Sequence, residues 1–251
     1  MSDGEIPTPP RKDYILRGGT LVKDPRLDRL QDFDPRNRLF PVMAMVSRAE
    51  AARPRSYTWK CLTWLDQGTE GACVGAAWGH ELACRPAAVK GVTMDWARER
   101  VYWEAQRQDE WPGGSYEGAD PVYEGTSVLA GAKVVQSLGW MAEYRWAFSV
   151  PELVLAIGYA GPAVLGVSWW SDMFEPDAEG FVHPTGYVAG GHAILCRAVN
   201  VRTQVFTLRN SWGASWGRDG DCKVTFEDMD TILRAGGEAC IPVGRQRGSV
   251  S

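Results

Sequence analysis

Cys73 stands where a glycine-rich turn, Asp66-Gln67-Gly68-Thr69-Glu70-Gly71-Ala72, gives way to small and apolar residues, Val74-Gly75-Ala76-Ala77-Trp78. A cysteine at such a junction predicts a thiol at a helix N-terminus. There the free N–H groups and the helix dipole favour the thiolate. Gln67, six residues earlier, offers a side-chain amide donor from the preceding loop. A thiolate and an amide donor facing one space are two parts of an acyl-transfer site. The missing part is a base; without one, the stretch reads equally as a buried cysteine behind a turn.

Three histidines are available: His80, His183 and His192. His80 lies two helical turns beyond Cys73, roughly 10 Å along the axis, and reads as a packed or partly exposed helix residue. His183, beside Pro184, reads as a surface loop residue. His192 follows Gly190-Gly191 and opens the apolar run Ala193-Ile194-Leu195-Cys196. The glycine pair leaves space for a substrate backbone beside the ring. Asn210 ends the next predicted strand and is followed by Ser211-Trp212-Gly213. Paired strands can set its amide against the imidazole, which gives a base oriented by a third polar group.

The elements that must position these groups follow from periodicity and punctuation. Helices are expected over 73–85, stopped by Pro86; over 95–109; from a cap at Gly125 or Thr126 to Leu138, closed by Gly139; and from the capping box Ser149-Val150-Pro151-Glu152 to about 158–161. Strands are expected over 163–169, 192–199, 205–209 and 222–225, with a short closing helix over 225–233. Helices first and a largely antiparallel sheet second make an α+β fold with two segregated layers and a cleft between them.

Composition narrows the function classes. The 251 residues, 45% of them hydrophobic, suffice for one large domain or two small lobes. A net charge of −4 without a basic stripe argues against nucleic acid as a partner. The six cysteines form no CxxC pair and no dense framework, so neither a metal site nor a disulfide scaffold is expected. No signal peptide or membrane-spanning run is visible, and a reduced, cytoplasmic protein with no membrane partner is the expectation. Residues 1–60 hold 12 Lys and Arg against 8 Asp and Glu, and the remainder 15 against 23. A basic N-terminal extension over 1–55 is therefore expected to wrap on an acidic domain over 56–243. Its first 12 residues and the tail 244–251 are expected to be disordered. Leu39-Phe40-Pro41-Val42-Met43-Ala44-Met45-Val46 is the apolar patch expected to bury.

Taken together, Gln67-Gly68-Thr69-Glu70-Gly71-Ala72-Cys73, then Gly191-His192-Ala193, then Asn210-Ser211-Trp212-Gly213 with Trp216-Gly217 and Gly220, resemble the three signature blocks of papain-like cysteine peptidases. The order and the 119-residue Cys-to-His separation match as well. The resemblance covers roughly 59–225 and is nearest to compact bacterial-type members without a long pro-segment. It implies a papain-like two-lobe fold, helical lobe first and antiparallel β-sheet lobe second, with the active site in the cleft. It implies Cys73 as nucleophile, His192 as its ion-pair partner and general acid/base, and Asn210 as the orienter. Gln67 and the Cys73 backbone N–H would form the oxyanion hole, with Trp212 shielding the His–Asn bond. Glu124, Gly125 and Gly191 would lie near bound substrate. The implied activity is cysteine-type peptide hydrolysis on a peptide or protein, with no cofactor. An amidase or transamidase on a smaller amide, and a catalytically silent binding or structural protein on the same scaffold, are the alternatives. Three positions depart from the pattern: Glu70 stands at a common disulfide cysteine, Val74 at the aromatic after the nucleophile, and Asp221 at an aromatic after Gly220.

Overall fold

The helix that begins at Cys73 has no solvent face. All ten residues of α1 (Cys73–Leu82) are buried, and its small residues permit that. A Cβ on Gly75 would come within 2.8 Å of the Ala97 carbonyl oxygen and of the Tyr102 Cβ, so the neighbouring helix approaches at glycine distance. That neighbour, α2, runs Met94–Ala97, passes through a π-helical stretch Arg98–Tyr102 and finishes Trp103–Gln108. The computed structural model describes residues 14–15, 21–22, 24–32 and 34–250. The expectation of disorder over 1–12 falls outside them.

Helix α3 (Val128–Ser137) is capped one or two residues later than expected. Ser127 accepts from Ala130 N–H, while Thr126 instead donates to Asp109 at 2.7 Å. Gly139 follows the helix at φ +78°. Helix α4 (Val150–Leu155) starts with Ser149 accepting from Glu152 N–H, and it continues as a π-helical stretch Ala156–Ala160. The Glu152 carboxylate bonds to Phe148 N–H, one residue before the reciprocal position of a capping box. Helix α5 (Phe226–Arg234) is capped by Thr225.

The second layer is a seven-stranded sheet made of β1 (Tyr57–Thr58), β2 (Glu143–Ala147), β3 (Ala163–Trp170), β4 (Val188–Asn200), β5 (Val205–Arg209), β6 (Asp221–Thr225) and β7 (Glu238–Val243). Its order is β2-β7-β3-β4-β5-β6, with β1 alongside β4, and every pairing is antiparallel. Helix α1 packs on β4 and β3, so the end of the helix that carries Cys73 meets the middle of β4, where His192 sits.

Two expectations about the chain ends meet different outcomes in the described residues. Of the apolar patch at 39–46, Val42 is buried, but Leu39 and Phe40 are 73% and 46% exposed. The arm buries Leu27 and Leu30 instead. The tail read as disordered is tied down: Gly248–Ser249 pairs in parallel with Val89–Lys90, and Arg245 forms a buried ion pair with Glu81. Glu81 lies on the buried central helix, and its charge requires that partner. Among the described residues no helix is long and apolar enough to cross a membrane.

Candidate active site

Helix α1 brings Cys73 to the interior. Its cap residue Ala72 supplies no side-chain bond, so no side chain competes for the first turn. The thiol is fully buried and donates to Asp28 Oδ1 at 2.6 Å. The sulfur also accepts from the Ala193 backbone N–H at 3.3 Å, next to His192.

His192 and Asn210 are buried side by side on β4 and just beyond β5. His192 Nε2 bonds Asn210 Oδ1 at 2.8 Å, so Nε2 carries the proton and Nδ1 is the basic nitrogen. Asn210 Oδ1 also accepts from Ser211 N–H, which fixes the amide orientation. The Trp212 and Trp169 rings lie 5.1 and 4.8 Å from the imidazole centroid and close this pair off from water. Burial lowers the His192 pKa to about 4, against the opposing Asn210 bond.

Gln67 is joined to the same loop. Its N–H donates to the Ser211 carbonyl, and its Oε1 accepts from Ser211 Oγ at 2.6 Å. That leaves Nε2 as the free end of the amide. It donates to the Glu70 carbonyl at 2.8 Å and to the Arg26 carbonyl at 3.3 Å. The Glu70 carboxylate turns to Arg98, which also binds Asp95, so the charge that replaces a common cysteine is neutralised on α2.

The space between these groups is filled by the arm. Arg29 N–H donates to the Gly191 carbonyl at 3.2 Å and Leu30 N–H to the Thr126 carbonyl at 2.9 Å. A Cβ on Gly191 would lie 2.1 Å from the Arg29 carbonyl oxygen, and one on Gly125 would lie 2.9 Å from that of Asp28. Both glycines are therefore positions of close backbone approach by an extended peptide. Arg26 stacks over Trp212, with its guanidinium carbon 4.1 Å from the ring centroid. Glu124 accepts from Gly71 N–H at 2.9 Å, and burial raises its pKa to about 7.

In this arrangement the thiolate–imidazolium pair expected from the sequence is not formed. Burial, then the adjacent Asp28, push the Cys73 thiol well above its ordinary range. Burial, reinforced by Glu124, likewise pushes Asp28 well up. The thiol keeps its proton, and His192 is a neutral imidazole.

The structure thus brings together Cys73, His192, Asn210, Gln67 and Trp212, with Glu124, Gly125 and Gly191 on the rim. It leaves out the other two histidines. His80 is wholly buried, accepts from Leu65 N–H at 2.9 Å, and is held neutral by burial at a pKa of about 3. His183 is half exposed and sits between Asp177 and Asp228. Sequence reasoning missed Asp28 and its neighbours. The one hint was the pattern Leu27-Asp28-Arg29-Leu30, two leucines bracketing charges.

No protein-family model matches the chain. Over 78 residues it is 29% identical to cathepsin B-like CP2 of Giardia intestinalis, a match spanning 30% of this chain and 26% of that protein. The chain thus spans about a quarter of the length of that curated relative. Among solved structures it is similar to xylellain, a cysteine protease from Xylella fastidiosa. The TM-score is 0.66 at 17% identity, covering 90% of this chain and 98% of that one. It is also similar to procathepsin B S9 from Trypanosoma congolense, with a TM-score of 0.51 at 14% identity, covering 88% and 87% of the two chains. The fold is papain-like.

Proposed function

We propose that this chain is a cysteine-type peptidase, held latent by residues 24–32. One observation carries the reading: an extended peptide, the chain's own arm, already lies across Cys73, with its main chain bonded to Gly191 and Thr126 and a carbonyl at Gln67. A cleft that takes a peptide backbone by these bonds suits a peptide substrate once the arm leaves.

The chemistry follows from the positions. With Asp28 gone, His192 Nδ1 takes the Cys73 proton, and the imidazolium steadies the thiolate. The sulfur attacks the scissile carbonyl carbon. A C–S bond forms and the carbonyl π pair moves to oxygen, where Gln67 Nε2 and the Cys73 backbone N–H receive it. The tetrahedral adduct collapses, the C–N bond breaks, and the imidazolium gives its proton to the leaving amine. Water then attacks the thioester as His192 accepts its proton. Collapse releases the carboxylic acid and returns the proton to sulfur. Asn210 keeps the ring facing Cys73 through both steps, acting as a positioning residue.

The test uses the full chain and the same chain carrying Leu27→Asp, a charge that the fully buried Leu27 site cannot accept. Each is incubated with a diverse peptide library, and cleavage sites are read by mass spectrometry. Cleavage by the Leu27→Asp chain, abolished by a further Cys73→Ala, is the expected result. Cleavage that survives Cys73→Ala, or none from either chain, overturns the proposal.

A further inference from the structure

Two cysteines outside the site face each other. Cys61 and Cys84 stand opposite in an isolated antiparallel bridge, which joins the chain leading into the helical lobe to the residue just past the cap of α1. Backbone bonds flank the pair: Leu62 N–H donates to the Ala83 carbonyl at 3.1 Å and Arg85 N–H to the Lys60 carbonyl at 3.0 Å. The pair is therefore of the non-hydrogen-bonded kind, whose Cα atoms lie about 4.5 Å apart with both side chains on one face. A disulfide bridges that separation without backbone movement. Both thiols are free. Cys196 and Cys222 offer the contrast. Each pairs with Leu208, from the strands on either side of it, so they sit two strand spacings apart, roughly 9–10 Å, and out of reach.

The surroundings set which thiol reacts first. Arg197 and Arg209 share the single Asp221 carboxylate, which leaves one positive charge over, and its field reaches Cys61. The Cys84 thiol facing Cys61 lowers the Cys61 pKa against the effect of burial, and the Thr63 backbone and the two guanidiniums add to that. Cys61 and then burial push Cys84 well up, and Glu81 adds to this against Arg245. Cys61 lies between exposed Lys60 and Leu62, while Cys84 is wholly buried. We propose that Cys61 and Cys84 form a redox modification site, in which a low-molecular-weight disulfide oxidises the pair to a reversible bond that clamps the segment holding Gln67 and Cys73. The Cys61 thiolate attacks one sulfur of the small disulfide, whose S–S bond breaks as one thiolate leaves. The Cys84 thiolate then attacks Sγ of Cys61 in the mixed disulfide and releases the second small thiolate. Two electrons pass to the small disulfide, which departs as two thiols carrying the protons of Cys61 and Cys84. The bond closes the loop 61–84 around the whole of α1. A tie of that kind acts mainly by removing freedom from the unfolded chain. Nothing in this chemistry depends on the peptidase reading.

The test uses the full chain under native conditions. It is incubated with oxidised glutathione, quenched with iodoacetamide and mapped by mass spectrometry without reduction. The expected product is a Cys61–Cys84 cross-link that dithiothreitol removes. Oxidation should raise Tm by about 5–15 °C, the range for closing a loop of this length. No cross-link, a cross-link between other cysteines, or a Tm that does not rise overturns the proposal. These readings come from the unsubstituted chain, so they decide it even where a variant fails to fold. Cys84→Ala should stop the reaction at a glutathione adduct on Cys61, and Cys61→Ala should leave Cys84 unmodified. An adduct on Cys84 in the Cys61→Ala chain would overturn the order of attack. Arg197→Gln leaves Arg209 and Asp221 in balance, so adding it to Cys84→Ala should slow formation of the Cys61 adduct. An unchanged rate would refute the surplus charge as the activating group.

Discussion

Replacing Asp28 with asparagine should remove one proton from the pH dependence of Cys73 alkylation. Asp28 is fully buried against the thiol, its Oδ2 has no partner, and Glu124 faces it with a second acidic group. Burial acts first and Glu124 adds to it, so the docked carboxyl is pushed well above its ordinary value of 3.8. The other groups turned towards it, Cys73 and Tyr102, carry no charge. The sign follows from linkage. A docked pKa raised above the undocked one means that docking is strongest below the undocked value and weakens as pH rises towards the docked one. Each pH unit in that window costs about 1.36 kcal/mol, a tenfold rise in the open fraction. Asparagine preserves the acceptor for the thiol and carries no titrating proton. In the assay, the full chain and its Asp28→Asn variant are alkylated with iodoacetamide between pH 5 and pH 7, and addition at Cys73 is read by peptide mass spectrometry. The thiol's own ionisation and the Glu124 contribution are common to both chains. The logarithm of the wild-type rate should therefore climb more steeply with pH than that of the variant, by at most about one unit per pH unit. Parallel profiles would show that Asp28 is not held protonated in the docked arm, and the proposed coupling would fall.

Further substitutions separate positioning from chemistry. On the Leu27→Asp background, His192→Ala should lower kcat/KM by about 10²–10⁴-fold, the range for a lost general acid and base. Asn210→Ala should cost less, because the ring can still transfer a proton when poorly aimed; the reverse ranking would exchange their roles. Glu70→Gln should change activity and Tm only slightly, since a partly exposed ion pair contributes about 0–1 kcal/mol; a large loss would place Glu70 in the chemistry. Asp221→Ala should destabilise the fold by about 3–5 kcal/mol, because the buried Arg209 then loses its carboxylate. At about 2–4 °C per kcal/mol this lowers Tm by roughly 6–20 °C in thermal denaturation, and an unchanged Tm would refute the structural role of that network.

The groups gathered in the site were legible because each carries a local signature: the glycine turn before Cys73, the glycine pair before His192, and the Asn-Ser-Trp-Gly run at Asn210. The four core strands and the helices were legible from periodicity. Strands β1, β2 and β7 were not. Glu143–Ala147 alternates charge and aromatics at a sheet edge, and Glu238–Val243 follows a glycine pair and contains Pro242. Proline fits there because pairing with β3 ends at Cys240, so at Pro242 only β2 runs alongside. Asp221 looked like a lost aromatic; three dimensions show a carboxylate shared by Arg197 and Arg209, residues 24 and 12 positions away. The placement of the arm was illegible for a similar reason. Its bonds to Gly191, Thr126 and Glu238 join residues distant in sequence, and no local pattern encodes such a register.

The pattern of satisfied and unsatisfied groups separates the two jobs of the cleft. The arm meets groups suited to hold a peptide: the Gly191 and Thr126 carbonyls through the Arg29 and Leu30 N–H groups, and Gln67 Nε2 through the Arg26 carbonyl. The groups around the thiol are left with open valences. His192 Nδ1 and Asn210 Nδ2 are buried without a hydrogen-bond partner, and Asp28 Oδ2 shares that condition beside the thiol. Buried polar atoms left unpaired cost free energy, and the arm's favourable contacts must offset that cost. The docked state is thus strong in recognition and frustrated in chemistry. A substrate that supplied the same recognition and relieved the frustration, by replacing the Asp28 acid with a scissile carbonyl, would displace the arm with only a modest affinity advantage. Arm and substrate then compete for one set of bonds.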